Sequence, residues 1–259
     1  MQEIHNLLDA LKLRHTRQAV AELLAEAQKS KPAYSQFLLK LLRQEYENKR
    51  NRTIAARIKK SGLRDYWTLE TYPWHIQTCL QKHKSAILEL AELDFIDQGA
   101  SVVFIGNSGV GKSGLAAGIM MKALYAGRTA YCIKAQDLFE ELGASIADRS
   151  TKTFLKRLAR LDLLLIDEFG YASPPEQNLT NNFFRLMDHR CNRKSTVITT
   201  NLGFREWPKF LGNGPLIAAL LSRLMRKCHT FSINGFNLCH PKFKLPTAPP
   251  QPPLLDFAP

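Results

Sequence analysis

Apolar and polar positions along this chain follow two different rhythms. From Met1 to about Gly62 the apolar residues recur at helical spacing: Ile4, Leu7, Leu8, Leu11, then Val20, Leu23, Leu24 and Ala27, then Phe37, Leu38, Leu41, Leu42 and Tyr46. That spacing predicts helix throughout, broken at Lys31-Pro32 because proline cannot continue a helix, and ended by Ser61-Gly62. Residues 1–65 are expected to form a small all-helical domain, and 66–98 a connector with a helix from about Ile76 to Asp94. From Gly99 onward short apolar runs alternate with amphipathic stretches. Strands are predicted at 101–105, 129–133, 161–166, 195–200 and 230–233, with helices at 112–125, 135–147, 152–159, 176–192 and 215–226. Such alternation calls for a parallel sheet covered by helices, so 99–240 is expected to be an α/β domain. Residues 241–259 carry seven of the thirteen prolines with little periodicity, and are expected to be disordered.

The turn after the first predicted strand holds the most chemistry. Gly106-Asn107-Ser108-Gly109-Val110-Gly111-Lys112-Ser113 fits the G-x-x-x-x-G-K-[ST] pattern, between the apolar run Ser101–Ile105 and a predicted helix. Glycines let the backbone curl so that N–H groups point at phosphate oxygens, and the helix N-terminus adds partial positive charge. Lys112 is expected to neutralise β- and γ-phosphates and the Ser113 hydroxyl to hold Mg²⁺, making ATP and Mg²⁺ the expected ligands.

About 55 residues further on, Leu163-Leu164-Leu165-Ile166 runs into Asp167-Glu168. A buried strand that ends in two carboxylates fits the metal side of a phosphate-loop site. Asp167 is expected to order Mg²⁺, and Glu168 to act as general base for the attacking water, or at least to orient it. Asn201 ends the next strand, Thr196–Thr200. It either faces the γ-phosphate between loop and acid strand, or simply begins the turn Asn201-Leu202-Gly203. Arg223 and Arg226, at i and i+3, share a helix face. One of them could reach a neighbouring subunit's site as an arginine finger; alternatively they form a solvated basic helix end.

Together these stretches resemble the AAA+ ATPase family, within it the helicase-loader branch of the DnaC/DnaI type, and most closely the IstB-like helpers of insertion-sequence transposition. The resemblance runs from about Asn6 to Leu238 and includes Phe104–Ser113, Ala135-Gln136-Asp137-Leu138-Phe139, Leu164–Gly170 and Thr199–Trp207. It implies a three-layer α/β/α P-loop core with a parallel five-stranded sheet, Asn201 at the sensor-1 position and Arg223 as the arginine finger. It also implies homo-oligomers on DNA, ATP hydrolysis at subunit interfaces, and a cognate transposase as partner. A replicative helicase loader is the alternative. After Ile233 the chain reads Asn234-Gly235-Phe236-Asn237-Leu238-Cys239-His240, where such proteins would carry a Tyr-Arg ending.

Charge adds the expected partner. The chain has 36 basic against 23 acidic residues, a formal net charge of +13, which suits a polyanion such as nucleic acid. Lys40, Arg43, Lys49, Arg50, Arg52, Arg57, Lys59, Lys60 and Arg64 face only Glu45 and Glu47 within one 25-residue stretch. Arg43, Arg50 and Arg57 recur every seven residues and stay on one helical stripe. The stripe is expected to bind duplex DNA through phosphates with little sequence preference. Pairs Arg43–Glu47 and Glu45–Lys49 would mask part of it. The five cysteines are scattered and expected to be reduced, and the seven histidines show no ligand spacing. No run approaches the roughly 20 apolar residues of a membrane span. Met1-Gln2-Glu3-Ile4-His5 has no leader character, so a cytoplasmic location is expected.

Overall fold

The helical rhythm becomes α1 (Gln2–Ala10), α2 (Arg14–Ser30) and α3 (Tyr34–Lys60) in the computed structural model, which describes residues 1–171 and 173–238. The proline-rich stretch 241–259, with Cys239 and His240, lies outside the described residues. α2 ends where Lys31-Pro32 predicts, with Lys31 in the left-handed region. The stretch before it is two helices rather than one. Lys12 turns to φ 58°, and the Leu13 N–H returns to the Leu8 carbonyl at 2.9 Å. This is a Schellman-type stop built on a lysine, without the glycine or proline that would mark it in the sequence.

Glu45 also departs from its expected partner, Lys49. Its carboxylate is buried and accepts from the Thr16 N–H at 2.7 Å and the Thr16 hydroxyl at 3.0 Å. It thereby satisfies an orphan donor in the first turn of α2. The Arg52 guanidinium stands 3.7 Å away. Lys40 pairs with Glu26 at 2.6 Å. The chain divides into two compact units, with the boundary between Ala56 and Arg57.

In the second unit the single helix expected over Ile76–Asp94 is segmented. A 3-10 turn (Thr78–Leu80), α4 (Gln81–Glu89), another 3-10 turn (Leu90–Glu92) and the short α5 (Asp94–Asp97) take its place. Leu93, in the left-handed region, separates the last two. There follow β1 (Ser101–Gly106), α6 (Lys112–Tyr125), β2 (Ala130–Lys134), α7 (Ala135–Ala147), α8 (Thr151–Arg160), β3 (Leu163–Phe169) and α9 (Gln177–Arg190). The unit continues with β4 (Ser195–Thr200), α10 (Trp207–Leu211), α11 (Gly214–Leu224) and β5 (Cys228–Ile233). α10 is an element the periodicity does not predict; at five residues it is too short to show one.

All neighbouring strands are parallel, in the order β2-β3-β4-β1-β5. Strands covered on both faces need apolar residues on both, which is why β1 reads as a continuous run. α6 packs over β1, β3 and β4. On the other face α7 to α11 bury Leu138, Phe154, Phe183, Trp207 and Ile217 together with Val103, Leu164, Ile166 and Ile198. The result is the three-layer α/β/α core with a parallel five-stranded sheet. Among the described residues no helix is long and apolar enough to cross a membrane.

One buried cation locks this face. Arg190 is fully buried at the end of α9. Its guanidinium donates to the Leu158 carbonyl at 2.6 Å, the Leu161 carbonyl at 2.9 Å, the Thr196 hydroxyl at 3.0 Å and the Ser195 carbonyl. Burial lowers its pKa to about 10, so it stays charged at neutral pH. The Arg190→Met variant leaves three carbonyls without their donor and is expected to lose about 3 kcal/mol or more of stability. A urea melt of the full chain reads the loss; a change under about 1 kcal/mol would contradict the role given to the guanidinium.

Candidate functional site

The loop from Gly106 to Ser113 leaves β1 and enters α6 at Lys112. Gly111 caps that helix with φ 89°, and a Cβ there would collide with the Tyr72 hydroxyl. Only glycine turns the chain so sharply beneath that ring. Val110 is buried, and its carbonyl accepts from the Gln77 amide at 3.3 Å and the Tyr72 hydroxyl at 3.4 Å. The Gly109 carbonyl accepts from the Leu238 N–H at 2.7 Å. Gln77 also grips the Phe236 backbone, accepting from its N–H at 3.0 Å and donating to its carbonyl. Residues 236–238, after the last strand and in the stretch where the resemblance called for a Tyr-Arg ending, thus lie against the loop. Asn107 and Ser108 remain exposed.

Lys112 is 6% exposed. Its ammonium donates to the Asn107 carbonyl at 2.7 Å and stands 3.3 Å from the Tyr171 hydroxyl. Ser113 donates its hydroxyl to Asp167 at 2.8 Å. The same carboxylate oxygen accepts from the Thr199 hydroxyl, which in turn accepts from the Glu168 N–H at 3.0 Å. Phosphate loop, acid strand and β4 therefore meet at one carboxylate.

β3 reaches this point through an irregularity. Ile166 pairs with Ile198, yet Phe169 pairs with Thr200, so β3 carries one extra residue against β4. Such a bulge re-aims side chains at a strand end. It falls on Asp167 and Glu168, and Glu168 adopts φ 56°. The Glu168 carboxylate pairs with the Lys134 ammonium at 2.7 Å; Lys134 sits opposite Asp167 in the β2–β3 register. These groups line a cavity of about 770 Å³ with Gly109, Gly111, Trp67 and Tyr171, of the size that ligand pockets take.

The remaining expected residues lie elsewhere. Asn201 is exposed in the turn after β4 and rests against Gly170, while Thr199, two residues earlier, lines the cavity. Arg223 ends α11 in an ion pair with Asp188 and lies over the Phe184 ring. Arg226 is exposed in the 3-10 turn Met225–Lys227. On α3, Lys49, Arg52, Lys59 and Lys60 are exposed, whereas Arg43, Arg50 and Arg57 are half-buried. Arg57 donates to the Gly127 carbonyl, so the heptad stripe is the less accessible side of the basic block. Burial pushes the Cys132 thiol up to about 12, leaving it inert near the cavity. Among the described residues no group of three or more His, Cys, Asp or Glu could hold a metal. Sequence reasoning missed Thr199, Lys134 and Tyr171, which reach the site only through sheet register and turn geometry.

Comparison with known proteins places this geometry. The family model described as "IstB-like ATP binding protein" matches residues 6–240. The "Insertion sequence IS21 putative ATP-binding protein" of Pseudomonas aeruginosa is 31% identical over 235 residues, covering 91% of this chain and 88% of that protein. Its counterpart from IS232 of Bacillus thuringiensis subsp. berliner is 28% identical, covering 90% and 92%. Among solved structures, the DnaC helicase loader superposes with a TM-score of 0.54 at 23% identity, covering 64% of this chain and 96% of that one. AMPPCP-bound DnaA from Aquifex aeolicus gives 0.54 at 17%, covering 65% and 50%. At such identities these two likenesses speak for the fold alone, an α/β core shared with both proteins. With its phosphate loop, acid strand and nearly full-length match, the chain belongs to the IstB-like ATP-binding protein family.

Proposed function

We propose that this protein is a Mg²⁺-dependent ATPase that oligomerises on DNA and assists a transposase in choosing or engaging its target. The observation that carries the reading is the hydrogen-bonded chain Ser113–Asp167–Thr199, which sets the phosphate loop and the acid strand at one point. Lys112 neutralises the β- and γ-phosphates, and the loop N–H groups from Gly106 to Ser113 cradle them. Ser113 and Asp167 offer hard oxygen donors side by side, the donor set Mg²⁺ prefers, with phosphate and water oxygens to complete the shell. A bound Mg²⁺ would neutralise charge on those phosphates. Glu168 acts as general base on the attacking water once its carboxylate is released from Lys134, whose ammonium otherwise holds it. Asn201, resting on the Gly170 turn, reports the γ-phosphate to β4.

Curated relatives named for insertion sequences support transposition over helicase loading. On α3 the exposed Lys49, Arg52, Lys59 and Lys60 supply most of the phosphate contacts, with Arg43, Arg50 and Arg57 at their margin. DNA affinity then falls steeply with salt and varies little with sequence. Arg223 does not line its own chain's cavity. That suits an arginine delivered to a neighbouring subunit after leaving Asp188.

In the Glu168→Gln variant, ATPγS binding and duplex binding are expected to persist while phosphate release falls at least a hundredfold, as for loss of a general base. Turnover within about threefold of wild type would remove Glu168 from that role. Mixing Lys112→Ala with Arg223→Ala chains is expected to restore part of the ATPase rate that each variant lacks alone. No recovery at any ratio would assign the arginine to its own subunit or pass the role to Arg226.

A further inference from the structure

Tyr171 has no part in the chemistry described so far, yet the fold places it with care. Phe169 is fully buried between Phe183, Trp207 and Phe210 and anchors the end of β3. Gly170 then takes φ 93°, where a Cβ would come within 2.6 Å of Leu202 and 2.8 Å of the Asn201 side chain. The Tyr171 N–H closes the turn on the Glu168 carbonyl at 3.2 Å. An anchored ring, two positive-φ residues and a closed turn leave Tyr171 leaning over the phosphate loop. Its ring centroid lies 5.6 Å from the Lys112 ammonium and its hydroxyl 3.3 Å from the same nitrogen.

We propose that Tyr171 is a ligand of the terminal phosphate, its hydroxyl donating to a γ-phosphate oxygen held on Lys112 and so separating nucleoside triphosphate from diphosphate. Any oxygen entering the shell of the Lys112 ammonium arrives beside the phenol, which carries a proton to give. Burial raises the phenol's pKa, which keeps that proton in place at neutral pH. The γ end of the nucleotide is the relevant one, because the turn grows out of the acid strand, directly after Glu168, and is pressed by Asn201. No side chain at the end of the acid strand donates here, since the Asp167 and Glu168 carboxylates are acceptors only. The same Gly170 contact links Tyr171 to Asn201, so a phosphate that draws in the phenol also loads the turn after β4.

The proposal rests on the nucleotide-site reading above, and one experiment separates the two. Calorimetric titration of the full chain with ATPγS and with ADP, both with Mg²⁺, is compared between wild type and Tyr171→Phe. Tyr171 is 43% exposed and the variant removes one oxygen, so the fold is kept. ATPγS affinity is expected to fall about tenfold, the worth of one hydrogen bond to a charged acceptor, with ADP affinity held within about twofold. An equal loss for both nucleotides, or no loss for either, overturns the role of Tyr171 and leaves the nucleotide site standing. A wild type that binds neither nucleotide overturns the site itself, and Tyr171 with it.

Discussion

One carboxylate organises the second unit's working end. Asp167 accepts from Ser113 at the start of α6 and from Thr199 near the end of β4, so two elements that are distant in sequence share a single acceptor on a third. Hydrogen bonds to a charged group are worth about 1.5–3 kcal/mol each. The one from Ser113 ties the phosphate loop to the acid strand, and the one from Thr199 ties β4 to the same oxygen. The parallel order β2-β3-β4-β1-β5 makes this possible. With β4 between β1 and β3, the Thr199 hydroxyl reaches across to β3, donating to Asp167 and accepting from the Glu168 N–H.

The strand irregularity follows from the same demand. A regular β3 would send Asp167 and Glu168 to opposite faces of the sheet. The extra residue between Ile166 and Phe169 breaks that alternation and gives each carboxylate its own partner, Ser113 for Asp167 and Lys134 for Glu168. Backbone in the left-handed region at Glu168 costs of order 1 kcal/mol or more. The buried ring of Phe169, packed among three aromatics, offsets that cost one residue later. Rigidity at Phe169 and freedom at Gly170 then set where the following turn can go.

Much of this is legible in the sequence. The strand-turn-helix around Gly106–Ser113 and the apolar run into Asp167-Glu168 carry their own spacing signals, and the structure brings Ser113 and Asp167 together as that spacing implies. The helix stop at Lys31-Pro32 is marked by its proline. The stop at Lys12 is not, because Leu7, Leu8 and Leu11 keep their period right up to it and a lysine gives no warning of a left-handed turn. Thr199, Lys134 and Tyr171 were hidden for a different reason. Each is an ordinary residue in sequence, and only strand register or a bulge brings it to the site. In the basic block, Arg43, Arg50 and Arg57, which the periodicity sets on one stripe, are all half-buried, Arg57 engaging the Gly127 carbonyl, whereas Lys49, Arg52, Lys59 and Lys60 are exposed; the sequence shows the charge but not which side of it is accessible.

Ser113 and Asp167 are proposed to form one cation site that is completed by nucleotide phosphates. Electron paramagnetic resonance of Mn²⁺, titrated into the full chain with ATPγS present, tests it without turnover. The account predicts Mn²⁺ uptake that requires the nucleotide and weakens about tenfold or more in Asp167→Asn, which keeps the side chain's shape and removes its charge. Mn²⁺ affinity unchanged by that substitution, or uptake that is indifferent to nucleotide, would contradict it.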